Sequence, residues 1–289
     1  MGKVYIIGDS TCDLPPSFRE KLDVGFMPLP VNVGAEARLD MYDVFPDEIF
    51  SYYKKTGKLC TTSAPNTTNY IDFWSAIRQK DPESEIIHFH ISSGMTVTYS
   101  VSEKASREFT GVYSVDTKSV SIGVAILLIE ACRLRDSGWS AKEIFDEIER
   151  IKSRVKVGFV IDSVEYLYKG GRCTGLQALG ANILGLHPSI GMVNGSLVPG
   201  KKYRGNLSTV YRDFIRDTFA VDGTDIENGR LFIANTSYDE EVNTTLLHLI
   251  NEICPQLSDI TFVQPGCSIC VHCGPMTVGY AYLAKEPNQ

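Results

Sequence analysis

Three short apolar runs, residues 4–7, 86–91 and 112–115, each break off into polar turn residues, with one helical stretch between the first two and another after the third. Runs this short and this apolar suit strands buried on both faces. Strand followed by helix, repeated, implies parallel pairing. The strand endings are Asp9-Ser10-Thr11, Ser92-Ser93-Gly94 and Asp116-Thr117. In an open parallel sheet, ligands collect beyond the carboxyl ends of the strands, and glycine lets the chain turn its amides toward them. Helices are expected over residues 67–78 and 119–135, the second apolar on nearly every face and so placed inside the core. Ser140-Ala141-Lys142-Glu143 has capping-box spacing, with Ile144, Phe145, Ile148 and Ile151 on one face of the helix it starts.

From residue 155 the pattern changes. A strand over 155–161 and a helix over 176–184 precede two runs, 190–193 and 197–198, that flank Asn194-Gly195, a type I′ hairpin signal. Ser237 with Glu240 reads as the cap of a helix ending near residue 253. Residues 231–234, 260–263 and 269–272 read as further strands. The expected fold is α/β with two domains: a parallel-sheet α/β domain of residues 1–155, and a mixed-sheet α/β domain with a hairpin over residues 156–289.

A chain of 289 residues at 43% hydrophobic composition can bury an ordinary core. Its 28 basic residues face 35 acidic ones, a net charge of -7, and no Lys/Arg stripe breaks the balance, so nucleic acid is not an expected partner. The opening residues lack a secretory apolar core and cleavage site, and the uncharged run 119–129 is too short to span a bilayer. A cytoplasmic location is expected, with the eight dispersed cysteines as free thiols.

Four polar clusters could carry chemistry: Thr61-Thr62-Ser63 before Pro65, Ser92-Ser93-Gly94, Lys169-Gly170-Gly171-Arg172, and His272-Cys273-Gly274-Pro275. Hydroxyls and turn amides suit a carboxylate or phosphate, each charge-assisted bond contributing roughly 1.5 to 3 kcal/mol. Cys267, Cys270 and Cys273 beside His272 invite a metal. A strand there puts Cys267 and Cys273 on one side and Cys270 and His272 on the other, so no metal site is expected. His88 and His90 lack a third ligand and read as packed or surface residues. The glycines at 170 and 171 lack the spacing of a nucleotide-binding loop. A serine hydrolase using Ser93 and His272 is the alternative to a carrier, although no Gly-x-Ser-x-Gly elbow surrounds Ser93.

Taken together the motifs resemble the DegV family over nearly the whole chain. Ile7-Gly8-Asp9-Ser10-Thr11-Cys12-Asp13-Leu14-Pro15 is similar to the family's opening, Thr61-Thr62-Ser63-Ala64-Pro65 to its Thr-Ser-x-Pro loop, and Ile91-Ser92-Ser93-Gly94 to its serine-glycine turn. Val164-Glu165-Tyr166-Leu167-Tyr168-Lys169-Gly170-Gly171-Arg172 and His272-Cys273-Gly274-Pro275 are similar to its other two signatures. The resemblance implies one long-chain fatty acid in an apolar tunnel, its carboxyl group between the domains, and a carrier rather than a catalyst. No other cofactor is implied. Thr62, Ser63, Ser93, Gly94, His272 and Gly274 would hold the carboxyl group, ionised or neutral. A separate ATP-dependent kinase subunit would phosphorylate it, with Arg172 and Arg204 assisting transfer or docking, and transient membrane contact would go with that role. The chain departs from the pattern at Met276, where a second glycine often stands, at Val97, and at His187 before Pro188.

Overall fold

The computed structural model describes residues 2–172, 185–222 and 225–286. Its strands are β1 (Val4–Asp9), β2 (Val24–Met27), β3 (Pro30–Val33), β4 (Glu36–Leu39), β5 (Thr61–Thr62), β6 (Glu85–His90), β7 (Val112–Asp116), β8 (Val155–Val160), β9 (Leu186–Val193), β10 (Ser196–Arg204), β11 (Arg230–Asn235), β12 (Asp259–Val263) and β13 (Val278–Leu283). The helices are α1 (Pro16–Lys21), α2 (Pro46–Thr56), α3 (Thr67–Lys80), α4 (Thr98–Ser106), α5 (Ile122–Asp136), α6 (Ala141–Ile151), α7 (Glu165–Lys169), α8 (Leu207–Asp222), α9 (Glu240–Ile253) and α10 (Cys267–Cys273).

The first domain is built on a parallel sheet in the order β2-β1-β6-β7. The second carries a mixed sheet, β10-β9-β8-β13-β11-β12, antiparallel throughout except where β11 pairs β12. The α/β reading with one parallel and one mixed sheet therefore holds. Helix α5 explains how the two are joined. Nearly all its side chains are buried, because it contacts β1 of one sheet and β8, β11 and β13 of the other. Apolar residues on every face are what such a central helix needs. Gly123 permits the close approach: a Cβ there would stand 2.5 Å from Val157 Cγ2 on β8.

The strongest local signals reappear as structure. Ser140 and Glu143 cap α6 reciprocally, and Ile144, Ile148 and Ile151 are buried on its inner face. Asn194 (φ 50) and Gly195 (φ 80) make the left-handed turn between β9 and β10, a hairpin several residues longer than the sequence suggests.

Two expectations are corrected. Residues 269–272 are not a strand but part of α10. Asp40, distant in sequence, accepts from the N–H groups of Cys267 (2.7 Å) and Ser268 (2.9 Å), an N-terminal cap that no local pattern announces. Helix α9 is capped by Asp239 rather than Ser237: the Asp239 carboxylate accepts from Glu241 and Val242, while the Ser237 hydroxyl contacts Met276. An antiparallel sheet, β4-β3-β5, is an addition to the expected fold; it holds the Thr61-Thr62 segment against β3. The expected helix over 176–184 lies outside the described residues.

Candidate functional site

An apolar cavity of about 100 Å³ draws its walls from the mixed sheet, from segments beyond the strand ends of the parallel sheet, and from α5 and α10. Ile91, Val120 and Ile122 come from the first half of the chain, and Val157, Phe159 and Ile269 from the second. Thr62, Ser63, Arg172 and His272 also line it, so four of the eight residues singled out in the sequence meet at one cavity.

Thr62 lies on β5 and His272 in the last turn of α10, and their Oγ1 and Nε2 atoms are 3.0 Å apart. Burial, with the Arg172 charge adding to it, lowers the His272 pKa to about 4, so the imidazole is neutral at pH 7. Its Nδ1 is buried without a hydrogen-bond partner and packs against Gly170, where a Cβ would come within 2.5 Å of it. Arg172 donates from Nη1 to the Gly170 carbonyl at 2.7 Å, which turns the Lys169-Gly170-Gly171-Arg172 segment toward the histidine. Ser63 and Thr61 are steadied by Asn32 of β3, whose Nδ2 donates to both hydroxyls, at 3.0 and 3.2 Å. Gly274 ends α10 at φ 78, and a side chain there would collide with the Tyr166 ring, 2.5 Å from the Cβ position.

The serine-glycine turn sits beside the cavity, to which it contributes Met95 and Thr96. Ser93 and Gly94 are exposed rather than among the lining residues. The Ser93 hydroxyl accepts from Lys118 Nζ at 2.8 Å, and its N–H donates to Asp116 Oδ1 at 3.1 Å. Burial opposes ionisation of Asp116, but hydrogen bonds from Lys118 and Ser93 outweigh it and hold the carboxyl below its ordinary range. Ser93 and His272 thus have different partners, Lys118 and Thr62, and the nucleophile–base hydrogen bond a hydrolase would use is not formed between them. Arg204, exposed at the end of β10, does not line the cavity.

Two contributors escaped the sequence reading. Lys118 brings an ammonium group to Ser93 from the turn after β7. Gly195, at the hairpin tip, receives the Ser92 hydroxyl on its carbonyl at 2.7 Å, so the mixed-sheet domain locks the serine turn of the other domain. The Asn194-Gly195 turn was legible, but nothing local told where its tip would land.

The cysteines of α10 do not alternate across a strand. Cys270 donates to the Pro265 carbonyl at 3.3 Å, and Cys273 lines the cavity with its thiol pushed up to about 12 by burial. Burial likewise raises Cys267 and Cys270. A thiol held protonated is a poor metal ligand, and among the described residues no group of three His, Cys, Asp or Glu side chains is placed to hold an ion. His88 is packed, its Nδ1 accepting from Trp74 Nε1 at 3.1 Å, and His90 is fully buried beside it. Met276 holds φ 59, a left-handed conformation that favours glycine, and its amide and carbonyl are tied to Ser237 and Tyr211.

Fold and site together define an α/β protein with a parallel and a mixed sheet and an apolar cavity lined in part by hydroxyls, a neutral imidazole and a guanidinium. The family model described as "Uncharacterised protein, DegV family COG1307" matches residues 3–285, and the chain belongs to the DegV family. A relative named fatty acid-binding protein, from Thermotoga maritima, is 28% identical over 98% of this chain and 99% of its own length. A DegV domain-containing protein of Clostridium perfringens is 26% identical over 99% of this chain and all of that protein. Among solved structures, a DegV family protein from Thermus thermophilus described by its fatty acid binding is 28% identical, with a TM-score of 0.86 over 97% of this chain and 99% of that one.

Proposed function

We propose that this protein binds a single long-chain fatty acid in the apolar cavity and presents its carboxylate to a separate ATP-dependent kinase subunit, which converts it to an acyl phosphate. The observation that carries the reading is the Thr62–His272 pair at the lining of a cavity that is otherwise mainly apolar. Fatty acid binding by the Thermotoga and Thermus relatives supports it. Burying each methylene contributes about 0.8 kcal/mol, so a sixteen-carbon tail supplies roughly 10 kcal/mol before the costs of association. The tail gives affinity and the polar groups give orientation.

If His272 carries its proton on Nε2, it donates to Thr62 Oγ1, and the Thr62 hydroxyl proton is free to point at a ligand oxygen. Ser63, Ser93, Gly94 and Gly274 complete the carboxylate site in this reading, with Lys118 adding positive charge beside Ser93. Arg172 and Arg204 serve phosphoryl transfer or kinase docking. Residues 1–155 and 156–289 act as the two halves that enclose the ligand. The protein is then a cytoplasmic carrier with no catalytic residues of its own and no cofactor besides its lipid, touching membranes transiently. Among the described residues no helix is long and apolar enough to cross a membrane.

The test is native mass spectrometry of the full chain purified from a bacterial host. One added mass equal to a common long-chain fatty acid is expected, and its exchange for added palmitate. Protein that carries no lipid and takes up none would sink the proposal.

A further inference from the structure

Away from the lipid cavity, a crevice of about 270 Å³ opens between the outer strands of the two sheets. Phe26 of β2 and Phe262 of β12 form its apolar walls, and Asp13, Arg19, Met41 and Tyr238 stand around them. We propose that this crevice is a second ligand site, taking a small oxyanion, a carboxylate or a phosphate, on the guanidinium of Arg19.

Arg19 is a cation with no directly paired counter-charge, its neighbour Glu20 acting on it only through space. No described acidic residue forms an ion pair with it, and its Nε is buried with no hydrogen-bond partner. Its guanidinium carbon lies 3.9 Å from the centre of the Phe26 ring, so the aromatic covers one flat face and the donors are left at the edge. An edge of parallel N–H donors matches the two oxygens of a carboxylate or phosphate. A buried donor left unsatisfied is costly, and an anion in the crevice removes that cost. Burial already lowers the Arg19 pKa, in keeping with a poorly solvated cation.

Asp13 does not compete for this charge. Its Oδ1 accepts from the Gly266 amide at 2.7 Å and its Oδ2 from the Ser121 hydroxyl at 2.5 Å. Both oxygens are thus occupied within the fold, and burial pushes its carboxyl above the ordinary range despite those bonds. Asp13, Met41 and Tyr238 also hold φ of 49, 56 and 44. Non-glycine residues held in that region cost energy and gather where a ligand is clamped.

The experiment follows the Arg19 Nε–H signal by NMR in the ¹⁵N-labelled full chain, assigned by its disappearance in Arg19→Lys. Sodium phosphate and sodium butyrate are titrated separately, with sodium chloride at matched ionic strength as control. A saturable shift with either anion in the millimolar range, absent with chloride, is expected. Phosphate alone would assign a phosphate-type ligand, butyrate alone a carboxylate. In Arg19→Gln, binding followed on neighbouring backbone amides should weaken at least about tenfold. An unmoved Arg19 signal with both anions, an equal response to chloride, or undiminished binding by Arg19→Gln overturns the proposal. The first two outcomes are read on the unaltered protein, and Arg19→Lys, which keeps the positive charge, serves only to assign the signal.

Discussion

The Thr62 hydroxyl and the His272 imidazole lie 3.0 Å apart although 210 residues separate them in the chain. A two-residue strand brings one and a short helix the other, so the contact exists only when both halves are assembled. Thr62→Val keeps the shape and removes the oxygen. Losing a charge-assisted bond of roughly 1.5 to 3 kcal/mol, palmitate should bind about 10- to 150-fold more weakly. Competition against a fluorescent fatty acid measures this, and unchanged affinity would remove Thr62 from the head-group site.

His272 should also make stability depend on pH. Its folded pKa is about 4 against an ordinary value of 6.5, mainly through burial and secondarily through Arg172. The folded state binds fewer protons than the unfolded state between those values. The contribution is therefore fully present above pH 6.5 and is lost as pH falls toward 4, by about 3 kcal/mol in all. His272→Gln should flatten that part of the profile in urea unfolding. Equal slopes for both proteins between pH 6.5 and 4 would contradict it.

Arg172 acts on the same ring. Arg172→Ala removes a charge that disfavours the imidazolium, so the His272 pKa should rise from about 4, measurable in the imidazole NMR signals. With a competent ATP-dependent fatty acid kinase, the same variant should keep its lipid yet lose phosphoryl transfer by at least about tenfold. Full transfer would withdraw the role given to Arg172.

The sequence was most readable where local chemistry decides the outcome. Ser140 and Glu143 lie three residues apart and cap α6, and the all-round apolar α5 could only be internal. It was least readable where a distant group decides. The run from Cys267 to Cys273 has the β-branched residues of a strand, but Asp40 accepts its first amides and makes it a helix. The motif residues at 62, 63, 172 and 272 were identifiable singly, whereas Lys118 beside Ser93 and the hairpin tip on Ser92 depend on how the two sheets meet.

That meeting is narrow at Gly94. A Cβ on this residue would stand 2.5 Å from the Gly195 carbonyl oxygen, a backbone atom that cannot swing away. Gly94→Ala should push the serine turn from the hairpin, weaken the Ser92–Gly195 hydrogen bond, and destabilise the fold by about 1 to 3 kcal/mol. Urea unfolding gives the magnitude. A neutral effect would mean the hairpin moves freely, and the turn would then not be locked as described.

Asp40 tests whether the helix bearing His272 is held from its far end. The carboxylate is fully buried and uses both oxygens, one on the Cys267 amide and one on the Ser268 amide. Asparagine has the same shape but only one acceptor, and its NH₂ group would face an N–H donor. One buried amide is then left without a partner, so Asp40→Asn should cost about 1 to 3 kcal/mol in urea unfolding. Because α10 has no side-chain cap of its own, the loss should spread along it and faster hydrogen exchange should reach the His272 amide. Exchange that quickens only at Cys267 and Ser268 would confine Asp40 to a local cap and separate it from the positioning of His272.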